Sequence, residues 1–126
     1  MSHQVTIQTK ISDPRALALA CEELGLTLAE NAQQRTYSVA VQQPLVIKCP
    51  KADYDIAVTK SADGTFQLST DWWHGSVEKC VGTNYSKLSQ IYGVHKATLE
   101  AKKKGYFVTR TTNQQGQPRL VITGVK

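Results

Sequence analysis

The chain has 126 residues, 40% of them hydrophobic and 20% charged, and it carries a formal net charge of +5. These values are typical of a globular protein, and the length suffices for one hydrophobic core without disulfides or metals. No apolar run reaches the roughly 18 residues of a membrane-spanning helix, and the N-terminus lacks the apolar middle of a signal peptide. We therefore expect a single domain over residues 1–126, in the cytosol and not in a membrane.

The positive charge is unevenly distributed along the chain. Residues 1–85 carry seven basic and nine acidic side chains, whereas residues 86–126 carry eight basic side chains and a single acidic one, Glu100. This division predicts a positive face if the basic side chains of the second part converge in space.

The first predicted elements form a β-α unit. Residues 5–11 alternate apolar and polar side chains, which is typical of a half-buried strand. A helix should follow, because Ser12 or Asp13 can cap its N-terminus and Pro14 suits its first position. Gly25 should end this helix. Two acidic side chains of the helix are expected to face water, Glu22 and Glu23.

The middle of the chain predicts an antiparallel meander. Five short apolar runs are typical of strands, namely residues 26–30, 37–41, 45–49, 56–58 and 66–68. Pro44 is expected to end the second of these, because proline cannot donate a backbone hydrogen bond. Asp63 and Gly64 are a strong signal for a hairpin turn between the last two.

The C-terminal part predicts a helical turn over residues 76–81 and a long helix over residues 86–104, followed by a hairpin. Thr83 or Asn84 can cap the long helix, and Gly93 inside it permits a bend into two shorter helices. One face of the helix carries an apolar stripe that also includes a histidine and a lysine: Leu88, Ile91, Tyr92, His95, Leu99 and Lys102.

This order of elements predicts an α+β fold. A mainly antiparallel sheet should carry two main helices on one face, and a ferredoxin-like arrangement is the closest common plan.

Short landmarks along nearly the whole chain resemble one family. They are Met1-Ser2-His3, Thr9 to Ile11, Tyr54-Asp55-Ile56, Asp71-Trp72, Ile91-Tyr92 with His95, and Gly105 to Val108. The sequence resembles the uncharacterised protein of cyanobacteria and algal plastids called hypothetical chloroplast reading frame thirty-five, to which some proteins of cyanobacterial phages are similar. The resemblance implies a cytoplasmic or stromal protein without an assigned activity, and it implies no catalytic residues.

The basic side chains of the C-terminal part are the main candidates for binding. They are Lys96, Lys102, Lys103, Lys104, Arg110 and Arg119, and the two arginines are predicted to lie opposite each other across the hairpin. Such a group can contact an acidic partner protein or the phosphates of RNA or single-stranded DNA. A solvated charged face is the simpler interpretation.

A second group of candidates is aromatic. Trp72, Trp73 and His74 follow a strand end, where one tryptophan can be exposed and can stack on a base, a sugar or a partner side chain. Packing of both rings in the core is the alternative. His95 can serve as a ligand or base only if a partner orients it, and otherwise it lies at the edge of the core.

The sequence offers little evidence of chemistry. The three cysteines, Cys21, Cys49 and Cys80, are odd in number and lack a CxxC spacing, so we expect buried free thiols. The spacing of His74, Cys80 and His95 fits no zinc pattern, and a Cys80–His nucleophile pair is equally unsupported. We predict no metal, cofactor or catalytic residue.

Three hypotheses follow for the function. The first is a non-enzymatic interaction or regulatory module with an acidic protein partner, and the second is a nucleic-acid binding protein. The third, an enzyme acting on a small molecule, has no residue evidence. The oligomeric state stays open.

Overall fold

The computed structural model describes residues 4–124, and the side chains of residues 6–124. Over this range the chain forms seven strands and three α-helices. The strands are β1 (Gln4–Gln8), β2 (Thr27–Gln34), β3 (Val41–Lys48), β4 (Ile56–Lys60), β5 (Phe66–Asp71), β6 (Phe107–Thr112) and β7 (Pro118–Thr123), and the helices are α1 (Pro14–Glu23), α2 (Ser76–Val81) and α3 (Ser86–Lys103).

The main sheet has five strands in the order β1-β5-β4-β3-β2, and all neighbouring strands are antiparallel. Strands β1 and β2 therefore lie at opposite edges, and α1 connects them across the sheet. The predicted α+β class is confirmed, and the architecture is consistent with a fold of ferredoxin-like type. None of the described helices is both long and apolar enough to cross a lipid bilayer.

Helix α1 begins and ends as the sequence predicts. The Oδ1 atom of Asp13 accepts hydrogen bonds from the backbone N–H groups of Arg15 (2.9 Å) and Ala16 (3.4 Å), and Pro14 occupies the first turn. Gly25 follows the helix with a φ of 76°, a left-handed conformation that glycine adopts without steric cost.

The predicted strand over residues 37–41 is wrong. Residues 35–40 form the connection between β2 and β3, and Tyr37 and Val39 are exposed there. Pro44 does not end a strand but lies inside β3, and the polar residues 31–34 belong to β2. The ladder skips Asn31, which has a φ of 47°, and Pro44, so the missing N–H of proline falls at an interruption of the pairing.

The hydrophobic core lies between the helices and one face of the main sheet. On β3, Ile47 belongs to the core cluster with the helices, whereas its neighbour Val46 points to the opposite face. The side chains of the cluster that come from the helices include Leu17, Cys21, Val77, Val81, Leu88, Ile91 and Tyr92. The apolar stripe predicted for the long helix is therefore the face that packs on the sheet.

Helix α3 differs from the prediction at its beginning and in its middle. Its N-cap is Tyr85, which has a φ of 63°, so neither Thr83 nor Asn84 caps it through a side chain. Gly93 does not divide it, since the helix is continuous over 18 residues. The predicted helical turn before it is confirmed as α2, and Gly105 ends α3 with a φ of 80°.

Strands β6 and β7 form a separate two-stranded sheet that packs against α3. In its register Arg110 pairs with Leu120, and Arg119 pairs with Thr111. Because successive side chains of a strand alternate between faces, Arg110 and Arg119 point to opposite faces of the hairpin. The prediction that these arginines lie opposite each other is wrong by one residue of register.

A buried carboxylate fastens the β2–β3 connection to the turn before β4. Asp55 is 1% exposed and accepts hydrogen bonds from the Arg35 backbone N–H (2.8 Å), Nε (3.1 Å) and Nη2 (2.9 Å), and from the Cys49 N–H (3.0 Å). Burial raises the pKa of Asp55, but these hydrogen bonds from Arg35 and Cys49 outweigh it and lower the pKa below its usual value. Asp55 is therefore ionised in the folded protein at neutral pH.

We expect Asp55→Asn to destabilise the fold by ~2–4 kcal/mol, because it leaves the Arg35 guanidinium unpaired and turns an amide NH₂ towards existing donors. Urea unfolding at pH 7 measures this loss. Asp53→Asn is the matched control, since that side chain is exposed two residues away, and it should change the free energy of unfolding by less than about 0.5 kcal/mol. Equal effects of the two substitutions would contradict the role given to Asp55.

Candidate binding site

The Glu23 carboxylate joins three elements of the fold. Arg110 of β6 donates to it from Nη1 (2.8 Å) and from Nη2 (2.6 Å), and His95 Nε2 of α3 lies 2.8 Å from its Oε1. The prediction that Glu23 faces only water is wrong, because the C-terminal hairpin and α3 both reach the end of α1. His95 thus has the orienting partner that the sequence did not reveal.

The protonation of Glu23 follows from these contacts. The Arg110 hydrogen bonds are the main cause that lowers the pKa of Glu23, burial opposes them, and the His95 hydrogen bond lowers the pKa further, to about 2. Conversely, the Glu23 carboxylate raises the pKa of Arg110. Glu23 therefore stays a carboxylate well below neutral pH and holds the hairpin against the helices.

A cavity of about 440 Å³ opens beside this contact, between α1, α3 and β6. We call it the cationic cleft. Its polar lining consists of Arg15, His95, Thr98, Lys102 and Arg110, and its apolar lining of Leu19, Val94, Leu99 and Val108. Within the described residues Arg15 and Lys102 form no ion pair, whereas Arg110 is paired with Glu23. The cleft therefore presents two cations without a counter-charge beside apolar walls.

The other predicted basic residues lie outside the lining of this cleft. Lys96 Nζ donates to Asp13 Oδ2 (3.1 Å) and to Glu100 Oε1 (3.0 Å), so it connects α3 to the cap of α1. Lys103 is 3.8 Å from Glu100, and its side chain is 72% exposed. Lys104 and Arg119 are also exposed. The structure thus brings Lys102, Arg110 and His95 together, but not the whole predicted group.

The aromatic candidates occupy a different part of the fold. Trp72 and Trp73 are both half-buried, and the ring of Trp72 lies 5.1 Å from that of Tyr85. Trp73 contacts the exposed His74 edge to face, with 4.9 Å between ring centroids. None of these side chains lines the cationic cleft.

The sequence prediction missed two residues of the site, Arg15 and Glu23. A signal for them existed, because Arg15, Leu19 and Glu23 are spaced by four residues and so share one face of α1. That face packs towards α3 rather than towards water. Recognising it requires knowing that the hairpin also approaches from the far end of the chain.

The cysteines and histidines do not converge. Cys21 and Cys49 are buried, as predicted, and Cys80 is half-buried; all three are free thiols. Burial raises the pKa of the Cys21 thiol to about 12. Across residues 4–124, no three or more His, Cys, Asp or Glu side chains are grouped in a way that could hold a metal ion.

Comparison with known proteins shows which family the chain belongs to. The model of the family described as "Protein of unknown function (DUF1257)" matches residues 20–121. The chain belongs to this DUF1257 family. No curated protein and no solved structure matches it. The matched DUF1257 region contains His95, Lys102 and Arg110 of the cationic cleft and the adjacent Glu23, whereas Arg15 precedes it.

The depressed pKa of Glu23 predicts a pH-dependent contribution to stability. A carboxylate with a lowered pKa stabilises the fold above its unfolded pKa, near 4.5, and this contribution is lost as the pH falls towards 2. We expect the wild-type chain to exceed Glu23→Gln by ~1–2 kcal/mol in the free energy of unfolding at pH 6, because the contact is partly solvated. This difference should shrink steadily between pH 5 and pH 2.5, as measured by urea unfolding.

The neighbouring Glu22→Gln is the control for that experiment, because Glu22 is exposed on the same helix turn. It should follow the wild-type curve at every pH. A difference between wild type and Glu23→Gln that stays constant from pH 6 to pH 2.5 would show that the carboxylate charge is not what holds the hairpin.

Proposed function

We propose that the protein is a non-enzymatic interaction module that binds an acidic segment of a partner protein in the cationic cleft. The observation that carries this proposal is the pair of cations without ion pairs, Arg15 and Lys102, on the lining of one cavity. Among the described residues Glu23 forms ion-pair contacts with Arg110 and His95, and none with Arg15 or Lys102. Positive charge that the fold leaves uncompensated inside a concavity favours an anionic ligand.

The form of the cleft favours a peptide with mixed side chains over a bare ion. Leu19, Leu99 and Val108 line it together with the cations, so an apolar side chain of the partner gains contact area there. Carboxylates can pair with the guanidinium fork of Arg15 in two-point geometry. A segment that alternates acidic and apolar side chains therefore matches both parts of the lining.

The polar groups of the cleft favour binding over catalysis. A histidine oriented by a carboxylate resembles a general base, but the carboxylate of Glu23 is shared with Arg110. The hydroxyl of Thr98 donates to the carbonyl of Val94 at 2.8 Å, inside its own helix. The cleft lining thus presents cations rather than a prepared nucleophile.

Nucleic-acid binding is the second candidate. The exposed Lys102, Lys103 and Lys104 at the end of α3 favour it, since they can contact successive phosphates. However, neither Trp72 nor Trp73, one of which was a candidate for stacking on a base, lines the cationic cleft. A phosphate-only contact explains less of the cleft than an acidic peptide does.

We also propose a cellular compartment for the protein, on the basis of its family resemblance. The sequence landmarks that resemble hypothetical chloroplast reading frame thirty-five support this narrower identity within the DUF1257 family. They favour the cytoplasm or the plastid stroma, and proteins that cyanobacterial phages carry would be relatives. An acidic protein of the same compartment is then the partner to seek.

We test the proposal with fluorescence anisotropy of labelled 20-residue poly-glutamate, 20-nucleotide single-stranded RNA and 20-nucleotide single-stranded DNA. Poly-glutamate should bind most tightly, and Arg15→Glu or Lys102→Glu should each weaken its binding about tenfold, because each reverses a charge at the contact. Lys51→Glu makes the same change in net charge on an exposed turn away from the cleft, and it should weaken binding less than about twofold.

Two results would contradict the proposal. If Lys51→Glu weakens binding as much as Lys102→Glu, the attraction comes from net charge and not from the cleft. If RNA or DNA binds more tightly than poly-glutamate and loses affinity steeply with salt, the nucleic-acid function replaces the acidic partner.

A further inference from the structure

A second cavity, of about 630 Å³, lies at the other side of the α1 N-terminus. Three consecutive residues of β3 and three of β4 line it, namely Gln43, Pro44, Leu45, Val58, Thr59 and Lys60. Because successive side chains of a strand point to opposite faces, a cavity above one face of a sheet would contact alternate residues. This cavity therefore lies between the two strands. We call it the strand slot.

The slot exists because the central ladder of the sheet is short. Strands β3 and β4 pair at Val46–Ala57 and Ile47–Ile56. By contrast, β2 and β3 stay paired as far as Gln34 and Val41. The stretch from Gln43 to Leu45 thus follows β2, while Val58 to Lys60 follow β5. The strands diverge, and the slot fills the wedge between them.

The lining of the slot has an apolar wall and a single charge. Pro14, Leu45, Val58 and Phe66 supply the apolar wall. Lys60 supplies the charge, and within the described residues it forms no ion pair. The lining also includes the hydroxyls of Ser12 and Thr59, which form no side-chain hydrogen bond in the part of the chain that the structure describes.

We propose that the strand slot binds an amphipathic anion of the type of a medium-chain fatty carboxylate. The alkyl chain would lie against Leu45, Val58 and Phe66, and the carboxylate would pair with Lys60, which shares a face of the sheet with Val58 and Phe66. Charge complementarity decides the class, since the one charged side chain of the lining is a cation. The slot shares no residue with the cationic cleft, so this ligand is independent of the acidic partner.

An extended peptide is a poorer occupant of the slot. A peptide that joins a sheet depends on regular backbone donors and acceptors along the edge that it meets. Pro44 removes one donor from the β3 side of the wedge. Two residues of the apolar wall, Pro14 and Phe66, lie outside β3 and β4 and offer side-chain contact rather than a strand edge.

Isothermal titration calorimetry of the full chain with decanoate, below its micellar concentration, tests the proposal. We expect saturable binding of one decanoate per chain, and at least about tenfold weaker binding of decyltrimethylammonium and of decyl maltoside, which carry an alkyl chain of similar length without the negative charge. Lys60→Met, which keeps the aliphatic stem, should weaken decanoate binding about tenfold. Lys51→Met, on an exposed turn, should leave it unchanged.

Thr59→Trp tests the place of binding, because an indole at that position blocks the slot from an exposed strand site. It should abolish decanoate binding, whereas Thr111→Trp on the exposed β6 should not. Circular dichroism checks that each variant is folded, and if Thr59→Trp is not, Gln43→Trp closes the slot from the β3 side.

Three results would overturn the proposal. The first is a lack of saturable decanoate binding. The second is equal binding of decanoate, decyltrimethylammonium and decyl maltoside, which shows that the slot does not select for a negative charge. The third is decanoate binding that the folded slot-blocking variant retains, which places the ligand elsewhere.

Discussion

The contact between the Glu23 carboxylate and Arg110 is the interaction on which the C-terminal part of the structure depends. A two-stranded sheet is marginally stable on its own, and β6 and β7 pair with no strand of the main sheet. Packing on α3 and the two Arg110 hydrogen bonds hold the hairpin in place. Because His95 contacts the same carboxylate, one side chain of α1 joins α3 and the C-terminal hairpin.

Local pairing explains why the positive charge of the C-terminal part does not form one broad face. Lys96 lies between Asp13 and Glu100, and Arg110 between the oxygens of Glu23, so the fold uses both as structural cations. Arg119 points to the opposite face of the hairpin from Arg110. Of the predicted basic residues, only Lys102 lines the cleft without an ion pair among the described residues. The second unpaired cation of the lining is Arg15, from the acidic N-terminal part of the chain. The charge asymmetry of the sequence therefore predicts Lys102 and Arg110 of the cleft lining, but not Arg15.

The local signals of the sequence predict much of the fold, because they involve residues that are close in the chain. The Asp13 cap, the stop at Gly25, the Asp63-Gly64 turn and the apolar stripe of α3 all belong to this class. The errors arise where distant residues decide. Pro44 was expected to end a strand, yet it fits β3 because the ladder opposite Asn31 is already interrupted. Arg15 and Glu23 belong to the site only because α3 and β6 pack against α1, which no local periodicity encodes.

The first turn of α1 lines both cavities, and side chains of α3 contact the start of this turn. The hydroxyl oxygen of Tyr92 accepts hydrogen bonds from the N–H groups of Ser12 (3.1 Å) and Asp13 (3.0 Å), and Lys96 pairs with the Asp13 carboxylate. The backbone donors of the N-cap residue and of the residue before it are thereby satisfied from the neighbouring helix. Pro14 and Arg15 follow directly, the first on the strand slot and the second on the cationic cleft. The packing of α3 on α1 thus fixes the walls of both concavities, while the interrupted ladder and the separate hairpin leave them open.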